Sequence, residues 1–281
     1  MKNLKNYCII LIFSAIIASC SSAPKRTMQI SSNYQKASNR YEKANAQLIT
    51  GEFNNAGANL SQAYDIAVCI DSEELLCKIC LSAVVYKSSA KESAQFFTDK
   101  TESDLLKEAK QYASYSENNL LLQICKIYEA KIFGTEEYIK ELESIEKNLS
   151  KEPFYQGYLF RTLGDLYSNK KDYATAAVEY KKAAEIHTKN RYLYEVGLDW
   201  YYAARSYSLA GNKKEAVSAI KNALKYDRDA ENSAAIASDY KAYAQILSKH
   251  SPSQEEALQA ERAMQRHNQI MQILTSSSEQ E

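Results

Sequence analysis

Apolar side chains recur along this chain at intervals of three and four residues, and the stretches that carry them resemble one another. Phe160, Leu163, Gly164 and Tyr167 set large, medium, small and large side chains on one helical face. The same series returns 40 residues later as Trp200, Ala203, Ala204 and Tyr207, and again as Tyr240, Tyr243, Ala244 and Leu247. A second series follows each of the first two, Ala176, Tyr180 and Ala183 and then Ala216, Ile220 and Ala223. Its third copy, Ala257, Glu261 and Met264, comes one residue late, after Pro252. A fixed period carrying two helical patterns predicts stacked helix pairs, each burying its apolar face on the next. The small residues predict close approach of the two helices within a pair.

Upstream, Tyr41, Ala44, Leu48, Ala56, Leu60 and Ala63 flank Gly51-Glu52-Phe53 and predict another pair. Residues 121–149 predict a weaker one around Gly134-Thr135, with Tyr128, Ile132, Tyr138, Leu142 and Ile145 at helical spacing. Residues 72–86 read as an apolar helix, and 87–103 as a polar loop pinned by Phe96-Phe97. Composition agrees: 7 Gly and 3 Pro in 281 residues are too few for the turns of a sandwich, a barrel or a doubly wound sheet. The expected fold is all-α, an α-solenoid of about twelve antiparallel helices between residues 31 and 274. Its parts are N-terminal hairpins (33–150), C-terminal repeats (151–275) and a disordered tail (276–281).

These residues resemble the tetratricopeptide repeat, whose pattern W-x2-L-G-x2-Y followed by A-x3-F-x2-A describes two antiparallel helices. The chain departs from that pattern in its period of 40 rather than 34, in lacking the proline that closes a repeat (Thr188 and Arg228 stand near that place), and in Glu261. The expectation is therefore a tetratricopeptide-like repeat with longer helices or connections. The resemblance implies a ligand groove on the inner face of each first helix. The register then selects Tyr158, Arg161, Asp165 and Asn169, next Tyr201, Arg205 and Ser208, and last Lys241, Gln245 and Lys249. A stripe of Tyr with Arg and Lys suits an acidic or carboxylate-ended peptide. Alternatively these are solvated faces with pairs such as Arg161 and Asp165.

Lys2 and Lys5 precede an apolar stretch at residues 7–18, too short to span a bilayer that needs roughly 20 residues. Residues 1–19 read as a cleaved signal peptide. Ile17-Ala18-Ser19-Cys20 resembles the bacterial lipobox, which implies diacylglycerol on Cys20 and a lipid anchor. The alternative is an ordinary signal peptide cut near Ala23, with Cys20 discarded. Residues 20–32 then form a lipidated cysteine and a polar tether. The absence of an acidic residue at Ser21 and Ser22 favours the outer membrane.

Charge narrows the partners. Lys+Arg 35 balances Asp+Glu 35, so no bulk field gathers nucleic acid or an anionic bilayer. Cys77-Lys78-Ile79-Cys80 matches C-x-x-C but sits mid-helix among leucines. It reads as a buried apolar pair, with a disulfide from Cys69 or Cys80 to Cys125, or metal ligation, as the other options. His187, His250 and His267 are too scattered for a triad or metal site, and no nucleophile motif, phosphate loop or dinucleotide fingerprint occurs. No catalytic residue, metal or cofactor is expected. The function expected is that of an envelope lipoprotein binding a protein or peptide partner as a scaffold, similar in design to the lipoproteins that assemble outer-membrane proteins and pili. The alternative is a transporter-associated carrier of a small or hydrophobic ligand, which a closed apolar pocket would favour over an open groove.

Overall fold

The computed structural model of the chain describes residues 32–249 and 252–278. Among the described residues there are twelve α-helices and no strand. They are α1 (Ser32–Thr50), α2 (Phe53–Cys69), α3 (Glu73–Ala90), α4 (Glu102–Tyr115), α5 (Asn119–Phe133) and α6 (Glu137–Ile145). Then come α7 (Pro153–Asn169), α8 (Tyr173–Lys189), α9 (Leu193–Leu209), α10 (Lys213–Asp229), α11 (Ser233–Ser248) and α12 (Gln254–Ser278). The stretch read from sequence as a signal peptide, Cys20, the expected tether up to residue 31, and His250 lie outside the described residues.

Helices adjacent in sequence pack in pairs, and α1 also touches α3, α3 touches α5, α5 touches α7, and α9 touches α11. Odd-numbered helices therefore form one layer and even-numbered helices another, which makes the molecule an all-α solenoid. The 40-residue period is carried by the helices. Each of α7 to α10 is 17 residues long, and the connections between them are only three residues. Such short links leave antiparallel packing as the only option.

The links share one geometry. Lys171, Arg191, Gly211 and Glu231 have φ of 64°, 63°, 84° and 54°. The N–H of the next residue reaches back to a carbonyl five positions earlier: Asp172 to Tyr167, Tyr192 to His187, Asn212 to Tyr207 and Asn232 to Asp227, at 2.8–3.0 Å. This closure satisfies carbonyls that the helix end leaves open. Three of the four left-handed residues are not glycine, each at a cost of about 1–2 kcal/mol. So few glycines suffice for so many helices because the array tolerates that strain.

One contiguous core runs from α1 through α8, with Leu60, Tyr86, Leu105, Leu142 and Leu159 fully enclosed. A second joins α8 to α11 through Ala176, Ala203, Ala204, Ala216 and Ile220, with Trp200 packed against it. In α12 the buried small residues are Ala260 and Ala263, whereas Ala257 and Glu261 are exposed. This helix runs past Leu274 to Ser278, further than the pattern predicts. The polar segment 87–103 divides: α3 continues to Ala90, a 3₁₀ turn covers Lys91–Ser93, and the Tyr86 hydroxyl accepts from the N–H groups of Gln95 and Phe96 at 2.9 and 3.3 Å. Phe97 meets the Tyr64 ring edge-on, 6.1 Å between centroids, so the expected pinning is real.

Candidate functional site

The odd-numbered layer curves round a chamber of about 490 Å³. Tyr41 and Leu48 on α1 and Ala235 and Ser238 on α11 line the same space, so the curvature brings the first inner helix and the last to a common wall. Six aromatic rings face it: Tyr41, Tyr128, Phe154, Tyr158, Tyr194 and Tyr201. In α7, α9 and α11 the lining residues occupy equivalent places, with Phe154, Tyr194 and Ala234 one set and Tyr158, Leu198 and Ser238 another.

Of the ten stripe residues selected from sequence, Tyr158, Arg161 and Tyr201 line this chamber. The others lie elsewhere. Asp165 accepts a 2.6 Å bond from the Tyr180 hydroxyl and pairs with Lys131. Asn169 is exposed at the end of α7, and Arg205 is exposed with its guanidinium 5.7 Å from the Tyr201 ring centroid. The Ser208 carbonyl accepts from Lys249 Nζ at 2.6 Å, while Lys241 and Gln245 are exposed on α11. Along α7 the chamber meets the start of the stripe, at Tyr158 and Arg161. The stripe extends into the second halves of the helices, whereas the chamber lies against the first halves of α7, α9 and α11. The residues missed, Phe154, Tyr194, Leu198 and Ser238, were marked by the same 40-residue step that revealed the repeat.

Below the rings lies a buried polar cluster. Arg161 is 6 % exposed; its Nε donates to Asp199 Oδ1 at 2.5 Å, and its guanidinium pairs with the Glu195 carboxylate and donates to the Glu195 carbonyl at 3.2 Å. Burial works against the charge on Arg161, but the Asp199 and Glu195 carboxylates outweigh it and hold the group protonated well beyond its ordinary range. Asp199 Oδ2 is 2.6 Å from His187 Nδ1, and His187 Nε2 is 3.2 Å from the Phe154 carbonyl. Both ring nitrogens thus face acceptor oxygens. Gly157 makes room for the ring, since a Cβ there would overlap His187 Nε2. Arg161 is therefore already matched, and no unpaired cation among the lining residues faces the chamber to receive an acidic or carboxylate-ended peptide.

Forty residues further on, the same places are filled differently. Gly197 repeats Gly157, Asp227 stands where His187 stood, Asp239 repeats Asp199, and Tyr201 replaces Arg161. A Cβ on Gly197 would overlap Asp227 Oδ1, so the close approach is conserved between repeats. Asp227 and Asp239 are 2 % and 1 % exposed and share a hydrogen bond, and among the described residues neither forms an ion pair with a basic side chain. Burial pushes Asp239 up to about 9, assisted by the charge of Asp227 and the hydrogen bond between them. Burial also raises Asp227, to about 6, although the bond to Asp239 opposes this. The pair shares one proton near neutrality, and Asp239 Oδ2 has no hydrogen-bond partner.

The four cysteines among the described residues, Cys69, Cys77, Cys80 and Cys125, are free. Cys77 Sγ lies 3.8 Å from Cys125 Sγ, Cys80 contacts Glu108, and Cys69 is exposed. The bond to Cys125, with burial, raises the Cys77 thiol, and burial raises that of Cys80, so neither supplies a ready thiolate. Cys125 thus contacts Cys77 through sulfur, and it is bonded to neither Cys69 nor Cys80. Among the described residues no group of three or more His, Cys, Asp and Glu is arranged to hold a metal ion, and no helix is long and apolar enough to cross a membrane. In comparisons with known proteins, no family model matches the chain and no curated protein is significantly similar to it.

Proposed function

We propose that this chain is a tetratricopeptide-like lipoprotein of the bacterial cell envelope, anchored through Cys20, that binds a ligand in its concave chamber and carries out no chemistry. The observation that carries this reading is the chamber itself. Its volume of about 490 Å³ falls within the roughly 300–1,000 Å³ of pockets that take small molecules, and its aromatic wall with a few buried polar groups is the composition of such pockets. Between the two expectations from sequence, a half-open chamber of this size with an aromatic wall supports the carrier of a small ligand over the scaffold. A rigid wall supports capture because the rings lose little freedom on binding. The lipid would confine that capture to the membrane surface, raising effective concentration near membrane partners.

The scaffold reading retains one support. Arg205, Lys241 and Gln245 are exposed on successive inner helices, outside the chamber. Native mass spectrometry of the protein purified from its own host separates the two. Wild type should retain a bound mass of small-molecule size that Ser238→Trp and Leu198→Trp, which fill the chamber, both lose while keeping full helical content. Retention by both variants, or no bound mass at all, would refute the chamber reading.

A further inference from the structure

The two C-terminal repeats supply an internal comparison. In the first, the buried Asp199 is satisfied by two groups of the chain, the Arg161 guanidinium and the ring nitrogen of His187. In the next, the equivalent Asp239 has Tyr201 and Asp227 at those two places. The helices, connections and glycine pocket are kept while both partners have gone. A buried carboxylate without a partner is costly unless something neutralises it.

No basic group of the chain pairs with Asp239. Arg228, on the same helix as Asp227, acts on it only through space, its charge opposing the rise, while its guanidinium donates to the Tyr240 hydroxyl at 2.6 Å. From α12, His267 Nδ1 lies 2.8 Å from the Ala237 carbonyl. Across the chamber Arg161 is matched by Glu195 and Asp199. Asn232 accepts from the Ala235 N–H, and the Ser238 hydroxyl donates to the Ala234 carbonyl. Asp239 Oδ2 is left as an unmet acceptor, and both residues of the pair are among those lining the chamber.

We infer that the acidic end of the chamber, Asp227 with Asp239, is a subsite for the positively charged head of a small organic ligand, a primary ammonium on an apolar body. The ammonium takes the place that Arg161 and His187 occupy in the preceding repeat. Two carboxyls are too few to hold a bare metal ion, and the tyrosine-rich wall matches an organic cation, whose charge is attracted to ring faces and whose body is apolar. Binding also has a proton consequence. Because the pair holds a proton near neutrality, a cation entering there expels it.

The inference rests on the chamber being a ligand site, and its test separates the two claims. Phenethylammonium, neutral 2-phenylethanol and anionic 3-phenylpropanoate are titrated calorimetrically into the full-length protein at a pH of about 7 in two buffers of different ionisation heat. The ammonium should bind at least about tenfold more tightly than either isostere, with a heat that depends on the buffer. Asp239→Asn and Asp227→Asn should each weaken it by about tenfold or more and diminish the buffer dependence, while Arg205→Gln changes neither. Either aspartate variant suffices if the other fails to fold. Equal binding of the neutral isostere would overturn the cationic subsite and leave the chamber a ligand site. Ammonium binding indifferent to both aspartate variants, or absent altogether, would overturn the inference whatever mass the host protein carries.

Discussion

Arg161 holds two carboxylates in the interior, and its removal would leave Asp199 and Glu195 buried without a counter-charge. Truncating one member of such a buried set costs about 3–5 kcal/mol. Arg161→Met should therefore lower unfolding free energy in urea by about that much, while Arg205→Met, at an exposed position, should stay within about 0.5 kcal/mol. Similar losses in both would refute the buried cluster. The acid pair makes a second prediction. An unfolded aspartate titrates near 3.9, whereas folding raises Asp227 to about 6 and Asp239 to about 9. The folded state then binds more protons across that window, so the pair's contribution is complete below about 4 and is lost as pH rises through about 6 to 9. The melting temperature of wild type should fall more steeply from pH 6 to pH 9 than that of Asp239→Asn; parallel profiles would contradict the shared proton. Helical periodicity placed Arg161 on the right face but said nothing of depth, so it read as a surface cation. Asp199 was passed over for the same reason, since an acid in mid-helix looks solvated until its neighbours are known.

At the scale of the element, the helices were legible because apolar spacing and small-residue positions are local. The three-residue links were not, because Lys171, Arg191 and Glu231 adopt left-handed backbone without glycine to announce it. Pairing of the repeats depends on glycine in a different way, through close approach. In Gly157→Ala the new methyl would overlap the buried His187 ring, and overpacking of this kind costs about 1–3 kcal/mol. Chemical denaturation of this variant should show that loss with an unchanged dependence on denaturant. No loss would mean that α7 and α8 are not seated as described. The register of α12 departs from the pattern: Ala257 keeps the small residue of the series but is exposed, and Ala260 and Ala263 are the ones buried.

For the whole molecule, the period led to the solenoid but not to its closure. Curvature accumulates from small rotations between neighbouring pairs, and no residue encodes the meeting of Leu48 on α1 with Ser238 on α11 across one chamber. That meeting turns a surface stripe into one wall of a concave, half-open chamber, and the functional account depends on it. The most direct measurement is photo-crosslinking in intact cells with a benzophenone side chain placed either at Leu198, which lines the chamber, or at Val178, exposed on the outer helix α8. The account predicts a discrete added mass on the protein from position 198 and none from position 178. Adducts from Val178 with none from Leu198 would contradict it.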